Sequence, residues 1–156
     1  FQLSTFNFQL STFNFQLSMT IAALGLDIGR KRVGIAGCDG LGWMATGLAT
    51  MKRSSFVQDV AQLRGWVEQR QATLLVVGLP LNSDGTMSAQ AQQIQKYAQR
   101  VSVALNLPVE YVNEYLSSVE AEELLRDRGV SPSRNKPEID RKAAELILQR
   151  WLDRSK

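Results

Sequence analysis

A carboxylate placed inside an apolar strand constrains this chain more than any other feature. Residues Ala22 to Ile28 and Arg32 to Gly37 read as two short strands joined by a tight turn at Gly29, Arg30 and Lys31. Asp27 stands in the first of them, among Leu24, Leu26 and Ile28. Burying an ionised carboxylate costs several kcal/mol unless donors or a cation meet it. Asp27 therefore needs a partner, and two kinds fit. One is the set of backbone N–H groups of the following turn. The other is a divalent cation, with Gly29 and Gly34 letting a phosphate-bearing substrate approach the backbone and Lys31 and Arg32 facing that phosphate.

Composition narrows the chemistry that such an acid can serve. The 156 residues are 44% hydrophobic and 21% charged, as expected of one ordered globular domain. A formal charge of +3 permits a nucleic-acid partner without demanding one. The single cysteine, Cys38, excludes an intrachain disulfide and reads as a packed strand residue in a chain suited to a reducing cytoplasm. There is no histidine. That excludes Ser-His-Asp and Cys-His catalysis and His-ligated zinc, so hydrolytic chemistry would rest on carboxylates, lysine or a metal held by oxygen.

The first eighteen residues repeat Phe-Gln-Leu-Ser-Thr-Phe-Asn twice and begin it a third time before Met19. A tandem TTTCAAC heptamer, read through successive frames, encodes this heptapeptide. Residues 1–18 are thus expected to be a non-native, disordered extension, and 19–156 one domain. The extension has neither the basic flank nor the apolar core of a signal peptide, and no stretch is long enough to span a membrane.

Beyond the first two strands, Gly42 to Met51 reads as a third, after a turn at Asp39-Gly40. Ser54 or Ser55 caps a helix with Phe56, Val60, Leu63 and Val67 on one face. Thr73 to Leu79 is a continuous apolar strand of the parallel, doubly covered kind. A helix from Ser88 to Asn106 buries Ile94, Tyr97, Ala98, Val101 and Leu105, and Pro108 to Asn113 forms a fifth strand. Ser117 to Glu120 has the form of a capping box for a short helix that buries Ala121, Leu124 and Leu125 and stops at Gly129. Val130 to Pro137 reads as a connection, and the last helix runs from Glu138 to Arg154. The order predicts an α/β domain: a five-stranded mixed sheet, an antiparallel meander plus two parallel strands, flanked by helices.

In such sheets ligands gather beyond the carboxyl ends of the parallel strands. Asp27, the loop Gly78 to Thr86, and Asn113-Glu114-Tyr115 all fall there. Asp140 shares a helical stripe with Ala143, Ala144, Ile147 and Trp151, and the two alanines would let that helix carry it toward Asp27. Each acid alone has a bland reading: Glu114 as a loop residue, Asp140 as an acid favoured by the helix dipole. Clustered, they are what metal-assisted phosphodiester hydrolysis needs. Lys31, Arg32, Arg134 and Lys136 are candidates for phosphate contacts, and the Asn82 to Thr86 loop for either substrate contact or a plain strand-to-helix turn.

These residues resemble the motifs of the YqgF family, also called RuvX. The resemblance runs through Leu26-Asp27-Ile28-Gly29 with Lys31-Arg32-Val33-Gly34-Ile35-Ala36, then Val77 to Asn82 with Asp84-Gly85-Thr86, then Asn113 to Ser118, then Ile139-Asp140 with Ala143 to Leu148. It covers nearly all of the chain from Met19. It implies an RNase H-like fold, a bacterial cytoplasmic setting, and metal-dependent nucleic-acid cleavage, with Asp27, Glu114 and Asp140 as catalytic and metal-binding acids and Mg²⁺ or Mn²⁺ as the metal. Gly29, Lys31, Arg32, Asn82, Thr86, Arg134 and Lys136 are the expected substrate contacts. In the third motif Asn113 stands where the family has an acid and Tyr115 where it has arginine, which removes one anionic and one phosphate-binding side chain.

The expected function is endonucleolytic processing of precursor 16S rRNA on ribosomal particles, by a monomer or homodimer with no membrane partner. Three rivals stay open: cleavage of branched DNA at Holliday junctions, non-catalytic rRNA binding during ribosome assembly, and a sugar-kinase or actin-like ATPase suggested by Asp27-Ile28-Gly29. The last needs a second lobe for which this chain is too short.

Overall fold

The computed structural model describes residues 22–114, 123–124, 126–129 and 135–154. The expectations for the 1–18 extension, Tyr115, the Ser117 capping box and Arg134 lie outside those residues.

Five strands form one sheet: β1 (Ala23–Ile28), β2 (Arg32–Cys38), β3 (Ala45–Lys52), β4 (Leu74–Leu79) and β5 (Val109–Asn113), in the spatial order β3-β2-β1-β4-β5. The pairs β1–β2 and β2–β3 are antiparallel, whereas β1–β4 and β4–β5 are parallel, so the predicted mixed sheet is observed. Helices α1 (Phe56–Arg70), α2 (Ala89–Leu105) and α3 (Lys136–Arg154) cover it.

Strand alternation sorts the residues into two unlike faces. Leu24, Leu26, Ile28, Val33, Ile35, Leu75, Val77 and Leu79 pack with Val60 and Leu63 of α1 and with Ile94, Ala98, Val101 and Leu105 of α2. Ala23, Ala36, Cys38, Val76 and Val112 face the other way, onto Ala144, Ile147, Leu148 and Leu152 of α3. Both early helices begin where a serine oxygen accepts a backbone N–H, Ser55 from Gln58 and Ser88 from Ala91. Both end on a left-handed residue, Gln71 and Asn106.

The α3 face is built for close approach. A Cβ added at Gly25 would lie 2.7 Å from Leu148 Cβ, and one at Gly47 would lie 2.6 Å from Arg141 Cγ. At Gly34 it would collide with the carbonyl of Asp140. With Ala143 and Ala144 fully buried opposite, α3 lies down on the backbone of the sheet. Thr50 Oγ1 donates a hydrogen bond to the Pro137 carbonyl and ties the first turn of α3 to β3.

Four details differ from expectation. β3 starts at Ala45 rather than Gly42, because Asp39 Oδ1 accepts from the Trp43 and Met44 amides and folds those residues into a turn that leaves both side chains exposed. Helix α3 starts at Lys136, two residues early, with Pro137 in its first turn, where a missing N–H costs nothing. Its buried stripe includes Leu148 and Leu152, while Trp151 is only half-buried. Leu124, expected in the core, is 40% exposed, although residues 123, 124, 126 and 127 are helical and Gly129 ends that turn at φ 78°.

Candidate active site

Parity of the strands aims the site. Asp27 lies in β1 two residues after Gly25, on the α3 face, and Glu114 lies two residues after Val112 on the same face. Leu26 pairs with Val77, so Asp27 sits beside Gly78 of the neighbouring strand β4, and Gly78 in turn pairs with Val112. The Glu114 amide donates to the Leu79 carbonyl at 3.0 Å and fixes the backbone just past β5. Glu114 then reaches back across β4 toward Asp27. It can do so because residue 78 has no side chain: a Cβ there would stand 2.9 Å from Glu114 Oε2 and 2.5 Å from Ile147 Cδ1.

The two carboxyls come close enough to interact directly, and a hydrogen bond between them needs a proton on one. Both titrate well above the ordinary carboxylate range. For Glu114, which is buried, the causes are first burial, then the charge of Asp27 and the hydrogen bond it donates to Asp27, with Arg150 pulling the other way. For Asp27 burial again leads, opposed by the hydrogen bond it accepts from Glu114 and reinforced by the charge of Asp140. Glu114 is accordingly the proton holder of the pair. Its Oε2 is buried without a hydrogen-bond partner.

Asp140, in the first turns of α3, completes the acidic group, but its side chain is committed. Arg32 Nε donates to Asp140 Oδ2 at 2.6 Å, and both groups are part-exposed. Among the described residues no three acidic, histidine or cysteine side chains stand in metal-ligating geometry. The donor set nevertheless fits a divalent cation at Asp27 and Glu114. A buried carboxyl oxygen lacks a partner, two neighbouring acids repel each other's charge in a way that a cation would relieve, and Asp27 keeps a partial opening to solvent.

The other expected site residues divide. Gly29 occupies the turn after β1, its amide donating to the Arg32 carbonyl at 2.8 Å. Lys31 and Lys136 are exposed, with no side-chain bond to any other described residue. Asn82 and Thr86 hold their own loop: Asn82 Nδ2 donates to Thr86 Oγ1 at 2.9 Å, and Thr86 Oγ1 donates to Asp84 Oδ1 at 2.6 Å. Gly85, at φ 84°, supplies the left-handed step.

Sequence reasoning missed a cluster behind the Gly29 turn. Arg53 donates from its amide to the Lys31 carbonyl at 2.8 Å and from Nη1 to the Gly29 carbonyl at 2.6 Å. Its guanidinium lies 4.1 Å from the centre of the Tyr97 ring. Asp59, 2% exposed, accepts from Tyr97 Oη at 2.9 Å and from the Ser54 amide at 2.9 Å, beside Arg53. An acid one turn into α1, on the same stripe as Leu63, was the available signal. Arg150 was missed as well; its Nη1 donates to the Asn113 carbonyl at 3.3 Å.

Comparison with known proteins places this geometry. The family model described as "RuvX: Holliday junction resolvase" matches residues 21–154. A protein of Trichormus variabilis named "Putative pre-16S rRNA nuclease" is 59% identical over 133 residues, covering 85% of this chain and 88% of its own. One of Rippkaea orientalis with the same name is 56% identical, covering 85% and 96%. Among solved structures, the fold is similar to Thermus thermophilus RuvC in complex with a Holliday junction substrate, with TM-score 0.55 and 13% identity over 86% of this chain and 96% of that one. It is also similar to the fowlpox virus resolvase in its junction complex, with TM-score 0.52 and 10% identity over 86% and 99%. At those identities the likeness is one of RNase H-like fold. The chain belongs to the RuvX family and is a nuclease of the RNase H-like class.

Proposed function

We propose that this nuclease cuts the precursor of 16S rRNA, in the cytoplasm and on ribosomal particles, with Mg²⁺ held by Asp27 and Glu114 and joined by Asp140. The observation that carries the reading is the meeting of Asp27 and Glu114 over the bare backbone of Gly78, with a buried Glu114 oxygen left unpartnered, at the carboxyl ends of two parallel strands. An all-oxygen donor set suits Mg²⁺ or Mn²⁺, and the relatives' shared name supplies the RNA.

Bound there, the cation would supply Lewis acidity, polarising a phosphate oxygen and bringing a water nearer to hydroxide at neutral pH. The chain's own residues do the rest. Asp27 and Glu114, both as carboxylates, would hold the cation, so Glu114 would have to be deprotonated for the ion to bind. Arg32, now paired with Asp140, would take a substrate phosphate. A phosphate on Arg32 would free Asp140 to turn toward Asp27, so that the third acid joins once substrate is bound. Gly29 lets the strand approach the turn, and Lys31, Lys136 and Arg134 contact phosphates farther along it. Asn82 and Thr86 act by shaping their loop. Asn113 costs the site little in this reading, because its carbonyl is what Arg150 uses to stand near Glu114.

Labelled precursor 16S rRNA and a four-way DNA junction, incubated in parallel with and without Mg²⁺, test the reading. Cleavage of the RNA alone and only with the metal is expected. Preferential cutting of the junction would move the substrate to branched DNA. Tight RNA binding without cleavage would leave an assembly factor.

A further inference from the structure

At the same end of the sheet as the acids, but on the α1/α2 face, a second opening has the character of a nucleotide subsite. A cavity of about 340 Å³ lies at the carboxyl end of β1, walled by Gly29, Arg30 and Arg53 on one side and by Gln90, Gln93 and Tyr97 of α2 on the other. It holds roughly ten water volumes, more than a lone anion fills and within the range of small-molecule sites.

Its lining is chemically one-sided. Two guanidinium groups and no carboxylate line it. The one acid beneath, Asp59, is already met by Tyr97 Oη, the Ser54 amide and Arg53. Arg53 is fixed before any ligand arrives, by the Gly29 carbonyl and by the Tyr97 ring, so its charge is pre-set at the wall. Arg30, Gln90 and Gln93 are exposed, and none has a side-chain bond or ion pair to another described residue. Gln90 and Gln93 stand one turn apart on the same face of α2 and offer amide donors and acceptors together. Positive charge at one side and amides at the other match a phosphate linked to a base.

The cavity and the acids share the carboxyl end of β1 but lie on its two faces: Ile28 lines the cavity and packs with α1 and α2, whereas Asp27 before it faces α3. Gly29 is two residues from Asp27, and its carbonyl is the group that Arg53 holds. We propose that this cavity receives one unpaired nucleotide of a substrate strand that crosses the carboxyl end of β1 from the acids on the α3 face, with Arg30 and Arg53 on its phosphate and Gln90 and Gln93 on its base. The subsite deepens the nuclease reading and rests on it for the identity of the strand. It confers preference for a single-stranded or bulged position, since a base within a duplex cannot leave its stack without cost.

The test follows backbone amide resonances of the full chain in Mg²⁺-free buffer, during titration with a short single-stranded RNA, the matching RNA duplex, AMP or UMP, and inorganic phosphate. Expected are shifts at Gly29, Gln90 and Gln93 with the single strand, weaker ones with free nucleotide, and binding of the strand about five- to tenfold weaker in a Gln90→Ala/Gln93→Ala variant whose melting temperature is unchanged. Shifts that avoid these residues would overturn the proposal, as would unchanged affinity in the variant. Equal shifts from inorganic phosphate would make the cavity an adventitious anion site. Free nucleotide binding more tightly than the strand would make it an effector site. Without metal no cleavage is read, so a protein that binds the strand here yet never cuts would refute the nuclease reading and leave the subsite standing.

Discussion

The two faces of the sheet are packed by opposite rules. On the α1/α2 face, large aliphatic side chains such as Leu24, Leu26, Ile35 and Leu75 fill the space between layers. On the α3 face, Gly25, Gly34, Gly47 and Gly78 withdraw side chains so that a helix can lie on the backbone itself. The first face buys stability by burial. The second gives up much of that gain, and in exchange it brings the Asp140 backbone against β2 and lets Glu114 pass over β4 to Asp27. The candidate acids meet where the side chains have been removed.

The comparison breaks most visibly at the acid itself. Asp27→Asn should lower Mg²⁺-dependent cleavage by at least about a thousandfold, since the amide keeps the shape but removes charge from the cation's position. Its melting temperature in metal-free buffer should be equal to or above the parent's, because a costly buried carboxylate is gone. Cleavage assays and thermal melts on the same preparation check both halves.

Leu63→Ala, on the opposite face, should do the reverse. A fully buried leucine lost from the α1 packing costs about 2–5 kcal/mol in denaturant unfolding, with cleavage per folded molecule kept. Gly34→Ala should cost about 1–3 kcal/mol and also lose activity, because the added methyl meets the Asp140 backbone rather than a side chain that can swing away. Gly78→Ala is milder on the fold, as its worst neighbours are the tips of Ile147 and Glu114. Mg²⁺ affinity measured calorimetrically should nonetheless fall several-fold, because Glu114 is pushed off Asp27.

The smallest effect is on pH dependence. Glu114 titrates above its ordinary value of 4.5 in the folded chain, so the folded state binds the shared proton more tightly than the unfolded state does. That stability is complete below the ordinary value and is lost as pH rises from it through the raised one. Metal-free melts taken from pH 5 to 9 should decline for the parent, and Glu114→Gln should remove that part of the slope.

How much of this could be read in the sequence depends on range. Local signals located the serine cap of α1, the succession of strands along the chain through β5 and the core stripe of α2, and the Asp27 anomaly pointed to the candidate site. Elements whose limits depend on distant partners were displaced: Ala45 opens β3 partly because its amide donates to Gln149 Oε1 at 2.8 Å, more than a hundred residues away. Arg32 stood out as a candidate for phosphate contact, with nothing to mark it as the partner of Asp140, since nothing local links positions 108 apart. Asp59 and Arg53 were hidden for the same reason: their meeting with Tyr97 exists only once α1 and α2 pack side by side.

The central claim is that Asp27 and Glu114 hold one proton in the place of a divalent cation. Titration calorimetry of Mg²⁺ binding near neutral pH, repeated in buffers of different ionisation enthalpy, counts protons released. The parent should release about one proton per bound cation, while Glu114→Gln should bind more weakly and release none. Mg²⁺ bound by the parent with no proton release, or with the same release in Glu114→Gln, would contradict the account.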